Sequence, residues 1–96
     1  MIVAELSLVP MGAGTSAGQY IKAVGQMLRG CGIKFVPGPM STSIEAESLQ
    51  EIFGLVAAAN QVLVDMGVQR IITSLKIDYR IDKDITIESK LSAFKT

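Results

Sequence analysis

The chain has 96 residues, nine of them basic and nine acidic, so its formal net charge is zero and it carries no electrostatic footprint for nucleic acid or an anionic membrane surface. That length suits one domain, residues 1–96, and is too short for a dinucleotide-binding fold with both of its mononucleotide halves. Histidine is absent and Cys31 is the single cysteine, which removes His-based nucleophilic catalysis, the commonest metal ligand and any intrachain disulfide.

The chain opens with M-I-V-A-E-L-S-L-V-P, where Ile2, Ala4, Leu6 and Leu8 alternate with Val3, Glu5, Ser7 and Val9. This predicts a strand with one apolar and one mixed face. The segment has no basic leader or small-residue cleavage site, so the cytoplasm is the expected compartment, and no apolar run approaches the roughly 18 residues of a membrane span. The stretch V-P-M-G-A-G-T-S-A then sets Gly12, Gly14 and Ala17 at the G-x-G-x-x-G/A spacing of a pyrophosphate-binding turn. Such a site wants an acidic residue after the next strand, where this chain offers Lys34, and no Gly-Lys-Ser/Thr follows for a P-loop. The turn is therefore expected to lead from strand to helix, with Met11 and Gly12 bordering a small-molecule pocket.

Ser16 with Gln19 predicts a capping box, followed by a helix whose stripe is Tyr20, Val24, Met27, Leu28 and Cys31 and which Gly30 and Gly32 end. Residues 33–36 read as a short strand, Pro37, Gly38 and Pro39 as a turn, and residues 40–45 as the antiparallel partner with Met40, Thr42 and Ile44 on one face. Ser48 with Glu51 predicts a second capping box, opening a helix with a stripe of Ile52, Phe53, Val56, Ala59, Leu63 and Met66 that stops at Gly67. Residues 69–79 alternate as a strand, with Ile71, Thr73, Leu75 and Ile77 opposite Ile72, Ser74, Lys76 and Asp78. D-Y-R-I-D-K-D reads as a loop, and Ile87, Leu91 and Phe94 as the stripe of a short terminal helix.

The order is β-α-β twice, and the halves echo each other: a Ser-x-x-Gln/Glu cap, an apolar helix, then Cys-Gly-Ile or Met-Gly-Val leading into a strand. This predicts an α+β, ferredoxin-like βαββαβ sandwich: a four-stranded antiparallel sheet with two helices on one face, plus a short C-terminal helix. The other face is expected to be bare in a monomer. Too apolar to be fully solvated and too polar for a core, it fits a subunit interface, and the 49% hydrophobic content likewise predicts a homo-oligomer. That face lacks the aromatics and basic surroundings of the RNA binders sharing this topology, and the first loop lacks the Arg that acyl-phosphate hydrolases need.

Two clusters carry chemistry. Thr42 and Thr73 fall on otherwise apolar, helix-facing sides of their strands, where a buried hydroxyl must find a partner. Either each bonds a nearby backbone group, or the pair orients a small heterocycle against Met11, Met40 and Ile44, with Glu45 near the rim to meet an amine or cation. The second cluster is Lys76, Asp78, Arg80, Asp82, Lys83, Asp84 and Glu88, which reads as a salt-bridged surface or as an intersubunit ion-pair network joined by Glu5, Ser7 and Ser74. Interleaved lysine and the lack of histidine speak against a metal, and no nucleophile and base fall together, so neither a cofactor nor an enzyme is expected.

V-P-M-G-A-G-T-S with Tyr20 downstream, G-P-M-S-T-S-I-E-A-E after the hairpin, and R-I-I-T-S-L-K-I-D-Y-R-I-D-K-D followed by Ile87 and Lys90 resemble the small thiamine-binding-protein family. The resemblance spans nearly the whole chain. It implies a single ferredoxin-like domain, a cytoplasmic dimer or tetramer, and non-catalytic binding of thiamine or its hydroxymethylpyrimidine moiety.

Overall fold

Alternation along the first strand divides the molecule into two sides. The computed structural model describes residues 1–12 and 18–94, and in it β1 (Ile2–Pro10) turns Ile2, Ala4 and Leu6 into a hydrophobic core while Glu5 and Val9 remain exposed. The remaining elements are α1 (Gly18–Gly30), β2 (Phe35–Pro37), β3 (Thr42–Ala46), α2 (Leu49–Asp65), β4 (Ile71–Asp78) and α3 (Ile87–Ser92). The four strands form one antiparallel sheet in the order β2-β3-β1-β4, the ferredoxin-like arrangement that the repeated β-α-β pattern predicts. Register sets Leu6 opposite both Thr42 and Leu75, and Glu5 opposite both Ser43 and Lys76, so each face keeps its own chemistry across three strands.

On the helix side, Val24 and Leu28 of α1 and Ile52, Leu55, Ala59 and Leu63 of α2 close over Ile44 and Ala46. Ser48 caps α2 by accepting the Glu51 N–H at 3.1 Å, and the Glu51 carboxylate accepts from the Glu47 N–H at 3.2 Å, one residue upstream of the expected box. The predicted stripe of α2 holds at Ile52, Val56, Ala59 and Leu63 but not at Phe53, 54% exposed, or at the C-cap Met66, 40% exposed, while Leu55, outside it, faces the core. Ser16, the expected cap of α1, lies outside the described residues, as do Gly14 and Ala17.

Both helices end in the same way. Gly32 (φ +71°) and Gly67 (φ +92°) take the left-handed conformation, their N–H groups bond Arg29 and Val64 carbonyls, and Ile33 and Val68 bond back to Leu28 and Leu63. The structure thus gives the Cys-Gly-Ile and Met-Gly-Val echoes a common cause: each glycine reverses the chain and each following hydrophobe packs on the core. Cys31 itself is exposed, because the helix stops one residue before it.

Two expectations about the sheet are corrected. Met40 does not lie on the third strand: Gly38 N–H bonds the Ser41 carbonyl at 2.8 Å, Pro37 pairs with Thr42, and Met40 sits in the intervening turn, 86% exposed. A Cβ on Gly38 would come within 2.9 Å of the Ser41 oxygen, which explains the glycine.

The second sheet face is not bare. Thr86 and Ser89 form a reciprocal capping box, both bonds 2.9 Å, that starts α3, and the segment lies over one end of this face, where Ile85 and Ile87 bury Val3. Leu91 and Phe94, expected on the buried stripe, are exposed. No helix among the described residues is long and apolar enough to cross a membrane.

Candidate functional site

A groove of about 330 Å³ lies between α1 and the β2–β3 hairpin, within the size range of small-ligand pockets. Its floor is Leu6, Leu8 and Leu28, and its walls include Tyr20, Phe35, Pro37 and Pro39, so it is apolar with an aromatic side chain from each flank. Thr42 brings a hydroxyl to it from β3, and the Arg29 guanidinium lies 5.8 Å from the centre of the Phe35 ring, a cation-π contact that fixes one rim. Local sequence builds this shape: the groove is the gap left where β2, only three residues long, and the Pro-Gly-Pro turn leave the helix side of the sheet edge uncovered.

The predicted ligand residues do not converge on one place. Met40 and Thr42 line the groove, whereas Met11 and Gly12 line a smaller cavity of about 180 Å³ with Gly67, Val68 and Gln69; Tyr20 borders both. Met11 is tied there by its N–H to the Arg70 carbonyl at 2.8 Å, and Gly12 follows at φ +76°. Thr73 is opposite Leu8 on the far side of β1 from Thr42, and its hydroxyl donates to Asn60 Oδ1 of α2 at 3.0 Å. Its partner is thus a side chain, itself anchored by Asn60 Nδ2 to the Val56 carbonyl, rather than backbone.

Glu45 is on the opposite sheet face from Thr42 and Thr73, because one residue's step along a strand reverses the side chain. It is 5% exposed under α3, with Lys34 Nζ 3.5 Å from an Oε2 atom that makes no hydrogen bond among the described residues. It cannot stand at the rim of a pocket shared with the two threonines. Lys34 also bonds Glu88 of α3 at 2.5 Å, and that bond, chiefly, holds the ammonium above the usual lysine range.

Further ion pairs anchor the same segment. Lys90 pairs with Asp78, and the Met1 ammonium with Asp84, whose carboxyl it holds below the usual carboxylate range. Arg80 and Asp82 pair within the loop, raising the guanidinium and lowering the carboxyl. Of the expected interface residues, Asp78 and Arg80 are therefore engaged inside the chain, while Glu5, Ser7, Ser74 and Lys76 form cross-strand pairs on the uncovered part of the face. No group of Cys, Asp or Glu among the described residues is arranged to hold a metal ion.

Tyr20 and Phe35 are the site residues that sequence reasoning passed over. Of five aromatic side chains, Phe53, Tyr79 and Phe94 are exposed, leaving these two half-buried at the groove. The available signal was Phe35 on the apolar side of a strand directly before a Pro-Gly-Pro turn, where an aromatic has no facing strand to pack on.

The fold and groove define a class: a ferredoxin-like domain with an apolar, aromatic-walled groove beside its short edge strand. The model of the family described as thiamine-binding protein matches residues 4–95, and the chain belongs to that family. A UPF0045 protein of Methanothermobacter thermautotrophicus is 35% identical over 99% of this chain and 97% of its own length. Among solved structures, a hypothetical protein of Methanocaldococcus jannaschii matches with a TM-score of 0.86 at 39% identity, covering 98% of this chain and 95% of that one. A Thermotoga maritima protein provisionally assigned to thiamine biosynthesis or salvage matches with a TM-score of 0.82 at 26% identity, covering 97% of each chain.

Proposed function

We propose that this protein binds thiamine or its hydroxymethylpyrimidine moiety, without catalysis, in the groove between α1 and the β2–β3 hairpin. The observation that carries the reading is the groove itself: an apolar slot of about 330 Å³ with Tyr20 and Phe35 as walls for a flat ring and the Thr42 hydroxyl as a hydrogen-bonding group. Family membership and the assignment of the Thermotoga maritima neighbour support the ligand class. The pyrimidine is the better-matched part, since no carboxylate among the described residues lines the groove to meet a thiazolium cation.

Calorimetry with thiamine and with hydroxymethylpyrimidine tests this. Heat from at least one is expected, reduced in Thr42→Val; silence from both would sink the proposal.

The same reading includes a cytoplasmic homo-oligomer, dimer or tetramer. It is supported by β4, a sheet-edge strand of eight residues, and by Val9 and Ile72, which face each other in register and are both nearly half exposed on the uncovered face. Association is proposed to use Glu5, Ser7, Ser74 and Lys76. Lys76→Ala is expected to lower the sedimenting mass; if it does so while no ligand gives heat, a structural oligomer becomes the better account.

A further inference from the structure

We propose that the ligand of the groove carries an anionic group, a phosphate ester on its heterocycle; this rests on the groove being the binding site. Among the described residues the lining includes two cations, Lys22 and Arg29, and no aspartate or glutamate. Both come from α1, with Gln26 between them, at the i, i+4, i+7 spacing that aligns side chains on one side of a helix over about 10 Å. Neither cation has an ion-pair partner among the described residues, which is equally true of Arg70, Lys76 and Lys83 outside the groove, so both are available to a ligand.

The charge is distributed by face. The carboxylates of Glu5, Glu45 and Asp78 stand on the other side of the sheet, so no carboxylate among the described lining residues neutralises the helix-borne cations. A flat ring held between Tyr20 and Phe35 would leave a substituent directed along the Lys22–Gln26–Arg29 line. Phosphate oxygens accept from an ammonium, an amide and a guanidinium fork, and charge-assisted bonds of this kind are stronger than neutral ones. A thiazolium in the same place would instead meet like charge.

Calorimetry on the full-length chain tests the proposal with four probes: hydroxymethylpyrimidine, its phosphate ester, thiamine and thiamine monophosphate. Each ester is expected to bind at least about fivefold tighter than its parent alcohol at low salt, the scale of one exposed charge contact, with the advantage shrinking as salt rises from about 50 to about 300 mM. Which ester gains more identifies the source of the phosphate. The ester-to-alcohol affinity ratio should fall toward one in Lys22→Gln and in Arg29→Gln, and below one in Lys22→Glu. Lys22→Gln alters an exposed side chain outside the core and serves as the check should Arg29→Gln, which loses the Phe35 contact, fold poorly. Equal binding of alcohol and ester, or an advantage that survives both neutralising variants, overturns the phosphate proposal alone. No heat from any of the four probes overturns the groove reading and this proposal together.

Discussion

The two sides of the sheet come from the same alternating strands but are closed by different means. On one side, helices of 13 and 17 residues bury Ile44, Ile52 and Leu63 almost completely, and Thr73, the strand hydroxyl facing α2, is satisfied by Asn60. On the other, a six-residue helix and its preceding loop cover only one end, through Val3, Ile85 and Ile87 and a set of ion pairs around a buried Glu45. Apolar burial is non-directional and additive over area, so it builds a core that leaves room for a groove at its edge. Ion pairs are directional and weak when exposed, so they pin a short segment without extending the core.

The contrast predicts a hierarchy of effects. Ile52→Ala, on the helix side, should lower unfolding free energy by about 2–5 kcal/mol in urea denaturation, the range for a buried large-to-small change. Ile87→Ala should remain well below that, because α3 can detach locally while the rest of the sheet survives. Equal losses would mean that both faces belong to one cooperative core. Phe35→Ala should weaken hydroxymethylpyrimidine binding at least about tenfold, as loss of an aromatic anchor does, and Thr42→Val by a smaller factor. Thr73→Val should leave binding alone and reduce stability by about 0.5–1.5 kcal/mol, the net worth of one hydrogen bond, which separates the two threonines by role.

The smallest effect is pH dependence of the strap. Asp82 and Asp84 are held below the ordinary aspartate range by Arg80 and the Met1 ammonium, so their contribution is complete above that range and is lost as pH falls through the lowered values. Lys34 is held above the ordinary lysine range, so its contribution is complete below that range and is lost as pH rises through the raised value. Methyl resonances of Ile85 and Ile87 should therefore stay constant near neutrality and shift in acid and in strong alkali before those of Ile52 do. Simultaneous movement of all three would remove the distinction between the faces.

Much of the fold was legible because it rests on local chemistry. Ser48 and Glu51 start a helix wherever they occur together before an apolar stripe, and Gly32 and Gly67 end one because the left-handed turn excludes most side chains. Phe53 and Met66 fall off the packed stripe because a stripe has a width and only the packed partner sets its edges. Met40 falls in the turn and not on the strand because the Pro-Gly-Pro turn closes on Ser41 rather than on Pro39, a matter of backbone hydrogen bonding that composition does not encode.

The candidate site was legible in its residue types more than in its grouping. Thr42, Thr73 and Glu45 each carry suitable chemistry, yet β1 separates the two threonines and the strand pleat turns Glu45 to the other face. Sequence alone determined the order of elements, the strand faces and the helix ends, since each depends on a few neighbouring residues and the fixed periods of backbone geometry. Tertiary structure decided which side α3 covers, that Lys34 would reach Glu45 and Glu88, and that Tyr20 and Phe35 would line one groove. Those outcomes depend on residues far apart in the chain, brought together only when the sheet and helices pack.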